Sequence, residues 1–484
     1  MAETPDTPAA AGTGHKGLRE LFNYPLMSAI TERRTRRVAR GTSITSGPIS
    51  HISTNAAAPL TPLEEAILVV STGLTGRVTM HDVPALNDDG SSRFGAPLIN
   101  IIARSASSID NAQAVSFFMI NDEGTWLIKH LRNREALALL SGFPAQWEDW
   151  TEDNWLTAAA AVKHRLYPER LDFPRRWPYY FIWNRQISNR PGTTILMPIV
   201  DLTRQMINVF LSLLSEEDGQ RPLFLDDWSR FRPRTLLDWG AWFGSLVGFI
   251  PKISYHIIGG ARRARGNWLN HDYPAPLGYA NTLRTDYEAF FQLQNLMLIA
   301  QGMGLGGWIH AAVGAPYVYE RDPATGKFGI EFRMQQPKKW RRWPPLPATQ
   351  PNPIGIDGVL ESLTPPYVKS MDEAVDRVLE EKYGPAGTYG DNSVFDRAYQ
   401  RGDYGDAYLK MAARRPSKEV VDYAKEICNY IYDTYGRFPA HTNAFHLPGV
   451  WLQFSHLEME FYDKYFDRNL YHRQARHHEM WEGH

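Results

Sequence analysis

The chain has 484 residues, 43% of them hydrophobic and 22% charged, and its 52 Lys+Arg against 53 Asp+Glu give a formal net charge of -1. That length predicts two domains, or one large domain with additions, and the balanced charge argues against a dedicated nucleic-acid binder, which would carry a net basic excess. The single cysteine, Cys428, excludes an intramolecular disulfide framework and any cysteine-based zinc or iron–sulfur cluster, and fits a reducing cytoplasm.

Residues 1–17 carry acidic residues and prolines where a signal peptide needs a basic region and an apolar run, and they read as a disordered arm. Leu18 to Arg40 reads as helix with a basic end, followed by a Gly/Ser/Thr-rich loop from Gly41 to about Asn55. Thr61-Pro62-Leu63-Glu64 then has the form of a capping box with proline at the first helical position, so a helix starts there and ends near Gly73 and Gly76. Residues 114–120 and 125–128 flank an Asn-Asp-Glu-Gly turn and predict a β-hairpin. Residues 130–285 read as a mostly helical insertion. Its two apolar stretches, 195–214 (interrupted by Asp201 and Arg204) and 239–250, are expected to be buried or dimer-facing helices, not membrane spans. A helix over 287–301, with apolar residues at 290, 293, 297 and 300, stops at the glycines that follow Gln301. A second hairpin is expected at 316–320 and 328–334, and then a Pro/Trp-rich wrapping arm over 337–370. The remaining residues, 371–484, read as a helical extension with helices near 371–383, 417–435 and 451–466.

Three stretches carry candidate chemistry. The first, ERRTRRVARG at 32–41, holds five arginines in ten positions. On a helix face such a cluster is ordinarily solvated, but beside a flexible loop the guanidinium forks and the Thr35 hydroxyl can converge on a phosphate. The second, residues 104–113, offers hydroxyls and carboxamides suited to the edge of a heteroaromatic ring, or simply to capping a strand. The third, QNLMLIAQGMGLGGW at 294–308, is an apolar helix whose closely spaced glycines admit close backbone approach to a planar ligand, or serve as an ordinary helix cap.

Taken together and in this order, the three stretches resemble the FMN-dependent nitroreductase superfamily. ERRTRR is similar to its R-R-S-x-R phosphate element, SASSIDNAQA to its P-S-x-x-N-x-Q flavin loop, and QNLMLIAQGMGLGGW to its Q-N-L-x-L-A-A-x-x-x-G-L-G helix. The resemblance spans roughly residues 20–360. It implies an α+β fold, with a mixed, largely antiparallel sheet flanked by helices, and a flavin domain over 18–336. It also implies a homodimer with FMN at the interface and ping-pong transfer of hydride or electrons from NAD(P)H to a small electron-poor acceptor. By the same resemblance Arg33, Arg34, Thr35 and Arg37 would hold the phosphate. Ser107, Ser108, Asn111 and Gln113 would address the ring and ribityl chain, and Gly304, Leu305 and Gly306 would offer backbone. Ser107 stands where the family has proline, and Lys338, Lys339, Arg341 and Arg342 are the candidates for its late basic pair. A non-redox or flavin-free structural member, whose extensions build an assembly, is the alternative.

His456 and Glu460, four apart, would share a helical face, with His441, His446, His472, His477 and His478 nearby in sequence. Lacking an EXXH or HEXXH motif, they read as surface pairs, and no metal site is expected. The arginine–aromatic runs at 173–185 and 338–343 read as cation–π packing, and no nucleic-acid partner is expected.

Overall fold

A computed structural model describes residues 14–74, 97–224 (except 103, 178, 183 and 217–219), 267–311 (except 276), 318–319, 329–335, 352–390, 403, 414–442 and 449–482. The fold is α+β. Its main sheet is antiparallel throughout and joins β1 (Val115–Asn121), β2 (Gly124–Ile128), β3 (Lys163–Tyr167), β4 (Thr193–Asp201), β7 (Gly306–His310) and β12 (Trp451–Ser455), in the order β3-β2-β1-β4-β12-β7. A two-residue strand, β11 (His441–Thr442), also pairs with β4. Smaller sheets pair β5 (Pro222–Phe224) with β6 (Asn270–Ala275), and β8 (Arg333–Gln335) with β9 (Asn352–Ile356) and β10 (Leu360–Glu361). Among the described residues no helix is long and apolar enough to cross a membrane.

Both faces of the main sheet are buried, which its side-chain alternation makes explicit. Val115, Phe117 and Met119 of β1 pack with the helices Pro62–Ser71, Glu152–Val162 and Leu277–Met303, while Phe118 and Ile120 pack with Tyr180, Tyr319 and Phe332 on the other side. A strand covered on both faces reads as a continuous apolar run, with no polar alternation. That explains two departures from the sequence reading. Residues 195–201, expected in a helix of the insertion, lie in β4 at the centre of the sheet, and only Thr203–Leu214 beyond them is helical. Likewise Trp451–Ser455, expected to open a helix over 451–466, is β12, hydrogen-bonded to β4 on one side and β7 on the other; helix begins at Met459. The insertion therefore supplies β3 and β4, and the C-terminal extension β11 and β12, to the main sheet, and neither is purely helical.

Other elements match. The hairpin over 115–128 forms, as do the helices Met371–Tyr383 and Lys418–Tyr435. The latter two pack with Thr203–Leu214 around Val375, Val378, Ile427 and Ile431 as a separate apolar cluster. The second hairpin differs from the expectation: Val318 and Tyr319 are helical, their carbonyls accepting from the amides of Ile330 and Phe332, and β8 pairs instead with β9, which lies in the stretch 337–370 expected to be a wrapping arm. The apolar stretch 239–250, Lys338, Lys339, Arg341, Arg342 and His446 lie outside the described residues.

Candidate functional site

The arginine tract is not the end of a helix. Two short helices, Lys16–Phe22 and Leu26–Glu32, precede it, and from Arg33 (φ -56°, ψ 127°) the chain is extended. It is held so by partners more than 250 residues away. The Arg36 amide donates to the Gly307 carbonyl (3.3 Å), Arg40 to the His456 carbonyl (2.9 Å), and Glu458 to the Val38 carbonyl (3.0 Å). The amides of Arg37 and Val38 both donate to the Tyr462 hydroxyl (3.0 and 3.3 Å).

Extended backbone sends alternate side chains to opposite faces. Over residues 35–38 that alternation holds, with Thr35 and Arg37 exposed and Arg36 and Val38 buried; beyond it Arg34 and Arg40 are exposed, Ala39 is buried and Arg33 is half-buried. Among the described residues no carboxylate lies in ion-pair reach of any of these five arginines. Arg37 sits 6.0 Å from the Trp308 ring, and Arg34 donates to the Thr31 carbonyl (2.8 Å). Arg36, the variable position of the R-R-S-x-R pattern, is 5% exposed and its side chain donates to the Arg34 carbonyl at 3.3 Å. Burial pushes its guanidinium below the usual range. A cationic strip without counter-charge is suited to an anion.

Beside this strip the helix Leu277–Met303 ends. Gly304 turns left-handed (φ +78°), its amide returns to the Gln301 carbonyl (3.1 Å) and that of Leu305 to the Ala300 carbonyl (2.9 Å). The next residues enter β7, so two of the three motif stretches meet. The glycine backbone is nevertheless covered by the chain itself. A β-carbon on Gly304 would lie 2.9 Å from the Arg473 carbonyl oxygen, and one on Gly306 would lie 2.3 Å from Leu457; Leu305 is buried. The helix's last carbonyls are satisfied by the C-terminal segment: Gly302 accepts from Arg473 Nε (2.9 Å), and Met303 accepts from His477 Nδ1 (2.9 Å) and Trp481 Nε1 (2.8 Å).

The second stretch, residues 104–113, packs against earlier turns of the same helix. Asn295 donates to the Ser105 carbonyl (2.7 Å) and the Ser108 hydroxyl to Glu288 (2.8 Å). At about 1.5 Å per residue those contacts stand roughly 14 and 24 Å before Gly304. Within one copy the structure thus does not bring Ser107, Ser108, Asn111 and Gln113 to the arginines. Ser107 is exposed. Asn111 accepts from Gln113 Nε2 (2.8 Å), and Gln113 accepts from Arg104 Nε (3.1 Å), an internally satisfied chain. Asp110, Asn111 and Gln113 all have positive φ (51°, 46° and 50°), a conformation uncommon without glycine. Gln113 and Arg104 face a cavity of about 340 Å³ that Lys129, Arg132, Asp201 and Arg204 also line. Burial pushes Glu288 up, more than Arg104 and Ser108 lower it.

The histidines converge on a residue read from the sequence only as a helix cap. The capping box forms, with Thr61 N–H to Glu64 Oε2 at 2.7 Å and Glu64 N–H to Thr61 Oγ1 at 3.3 Å. The same fully buried carboxylate faces His456 Nε2 (3.1 Å) and His477 Nε2 (2.8 Å). Burial alone would raise its pKa; the two histidines facing it outweigh that and hold it well below the usual carboxylate range. Because helix begins only at Met459, His456 and Glu460 do not form the expected helical pair. Glu458, buried next along, accepts from Gly41 N–H (2.7 Å), Ser53 Oγ (2.6 Å) and Asn55 Nδ2 (2.7 Å), fixing the loop after the arginines. The nearness of Glu64 to His456 and His477 spans 392 and 413 positions of sequence, and no local pattern signals it.

No protein-family model matches the chain, and no curated protein matches it.

Proposed function

We propose that the protein is an FMN-binding oxidoreductase of nitroreductase type, acting as a homodimer that passes hydride or electrons from NAD(P)H to a small electron-poor acceptor. The observation that carries this reading is the arginine strip, which has no carboxylate partner among the described residues and is hydrogen-bonded through the Arg36 amide to the strand that follows the glycine-ended helix. Arg33, Arg34, Thr35 and Arg37 would hold the phosphate, with buried Arg36 adding positive potential behind them. The flavin, when bound, supplies the redox chemistry. What the chain contributes is binding and orientation. Ser107, Ser108, Asn111 and Gln113 stand too far from the arginines of their own copy, so a second copy would bring its loop to the site. The test is anaerobic mixing of the FMN-loaded chain with NADH or NADPH: bleaching of the flavin spectrum supports the reading, and unchanged colour with both donors contradicts it.

One observation favours a second reading, a flavin-free scaffold of the same fold. The backbone of Gly304 to Gly306 is covered by Arg473, Met480 and Leu457, and the amides of Asn111 and Gln113 are already engaged. A chain that stays colourless with excess FMN would favour it.

A further inference from the structure

We infer that Glu64, His456 and His477 form a binding site for one divalent transition-metal ion, with Zn²⁺ the best chemical match. The three side chains offer ligand atoms that all lie within 4.8 Å of one another, with His477 Nε2 at 2.8 Å and His456 Nε2 at 3.1 Å from the carboxylate oxygens. Two imidazoles and a carboxylate are a set that borderline divalent ions take, at metal–ligand distances of about 2.0–2.2 Å.

The hydrogen bonding around the cluster orients it for such an ion. A carbonyl oxygen only accepts, so the 2.9 Å contact from His477 Nδ1 to the Met303 carbonyl fixes the proton on Nδ1. That leaves Nε2 aimed into the cluster on a residue that is only 8% exposed, and Nε2 makes no well-directed hydrogen bond there. An imidazole lone pair and a carboxylate oxygen facing each other at 2.8 Å inside the protein repel unless positive charge lies between them. A backbone carbonyl on the far nitrogen is also the usual way a metal-bound histidine is held. On the carboxylate side, the Thr61 amide anchors Glu64 Oε2 at 2.7 Å.

The neighbouring trio His51, Glu458 and Glu460 lacks these properties. The oxygens of Glu458 already accept from Gly41, Ser53 and Asn55, and Glu460 is exposed. An ion at Glu64 would join the start of the helix Pro62–Ser71, the exit of β12 and the C-terminal helix His477–Trp481. Its role is therefore structural, pinning the C-terminal segment over the end of the long helix, and it does not depend on flavin binding.

The test is to strip the full-length chain with a chelator and titrate it with Co²⁺, then Zn²⁺. The expected result is one equivalent of Co²⁺ per chain with visible ligand-field bands, displacement by Zn²⁺, and a Zn²⁺-dependent rise in Tm. His477→Gln and Glu64→Gln, the second of which keeps an acceptor for Thr61, should abolish the bands. A folded wild-type chain that shows no bands and retains no Zn²⁺ after desalting would overturn the proposal, leaving a proton-bridged ion pair. So would binding that survives both substitutions, since the ion would then sit on other side chains. The wild-type titration decides the matter even if a variant fails to fold.

Discussion

Replacing Arg33 and Arg37 together by alanine separates ligand binding from stability. Neither side chain has a carboxylate partner among the described residues, and Arg37 contributes a cation–π contact at 6.0 Å that is worth about 0.5 kcal/mol at an exposed site. The folded chain should lose no more than about 1 kcal/mol, as expected for surface positions. Binding should respond differently. A hydrogen bond to a charged group is worth about 1.5–3 kcal/mol, so losing two costs roughly 3–6 kcal/mol before solvent screening. Solvent exposure places the expected loss at the lower end, about a hundred-fold in FMN affinity at roughly 1.4 kcal/mol per decade. Riboflavin, which lacks the phosphate, is the internal control. Fluorescence titration of wild type and variant with both ligands should show that wild type prefers FMN and that the preference collapses in the variant, with Tm nearly unchanged. An FMN-to-riboflavin ratio that is the same in both proteins would refute the assignment of the phosphate to this strip.

Three further perturbations test the architecture around it. Gly304→Ala puts a β-carbon 2.9 Å from the Arg473 carbonyl oxygen at φ +78°, which should cost about 2 kcal/mol and lower the urea midpoint; an unchanged midpoint would show that the C-terminal segment is not packed against this turn. Arg204 bridges Asp201 (2.7 Å) and Glu381 (2.9 Å), carboxylates 16% and 28% exposed. Breaking a buried pair costs about 3–5 kcal/mol, so Arg204→Met should cost about 3 kcal/mol by denaturant unfolding, and a loss under about 1 kcal/mol would contradict the network. Glu458 supplies a pH test. Burial would raise its pKa, but hydrogen bonds from Ser53, Gly41 and Asn55 and the charge of His51 outweigh this and lower it. Its stabilisation is therefore present above the ordinary carboxylate pKa and lost as pH falls through the lower folded-state value. Glu458→Gln should flatten the acid limb of Tm against pH, and an unaltered limb would count against those contacts.

What the sequence disclosed was what local chemistry decides. Thr61 and Glu64 are three residues apart, so their capping box needs no tertiary information, and the 115–128 hairpin and the left-handed turn at Gly304 are equally local. β4 and β12 were hidden because burial on both faces removes the period-two signal from TTILMPIVD and WLQFS. The arginine tract looked helical because the groups that extend it, the carbonyls of Gly307 and His456 and the Tyr462 hydroxyl, come from β7 and the C-terminal region. A four-residue spacing pairs His456 with Glu460 only on a helix, and His456 lies ahead of the helix that begins at Met459. Its structural partner, Glu64, was visible only as a cap, because a carboxylate at that position also serves groups that fold back from the far end of the chain.

The most direct test of the central proposal is the visible absorption spectrum of the purified full-length chain, followed by chromatography of what denaturation releases. A flavin spectrum and one FMN per chain are the predicted result. A colourless chain that also fails to take up added FMN would contradict it and leave the arginine strip without its assigned ligand.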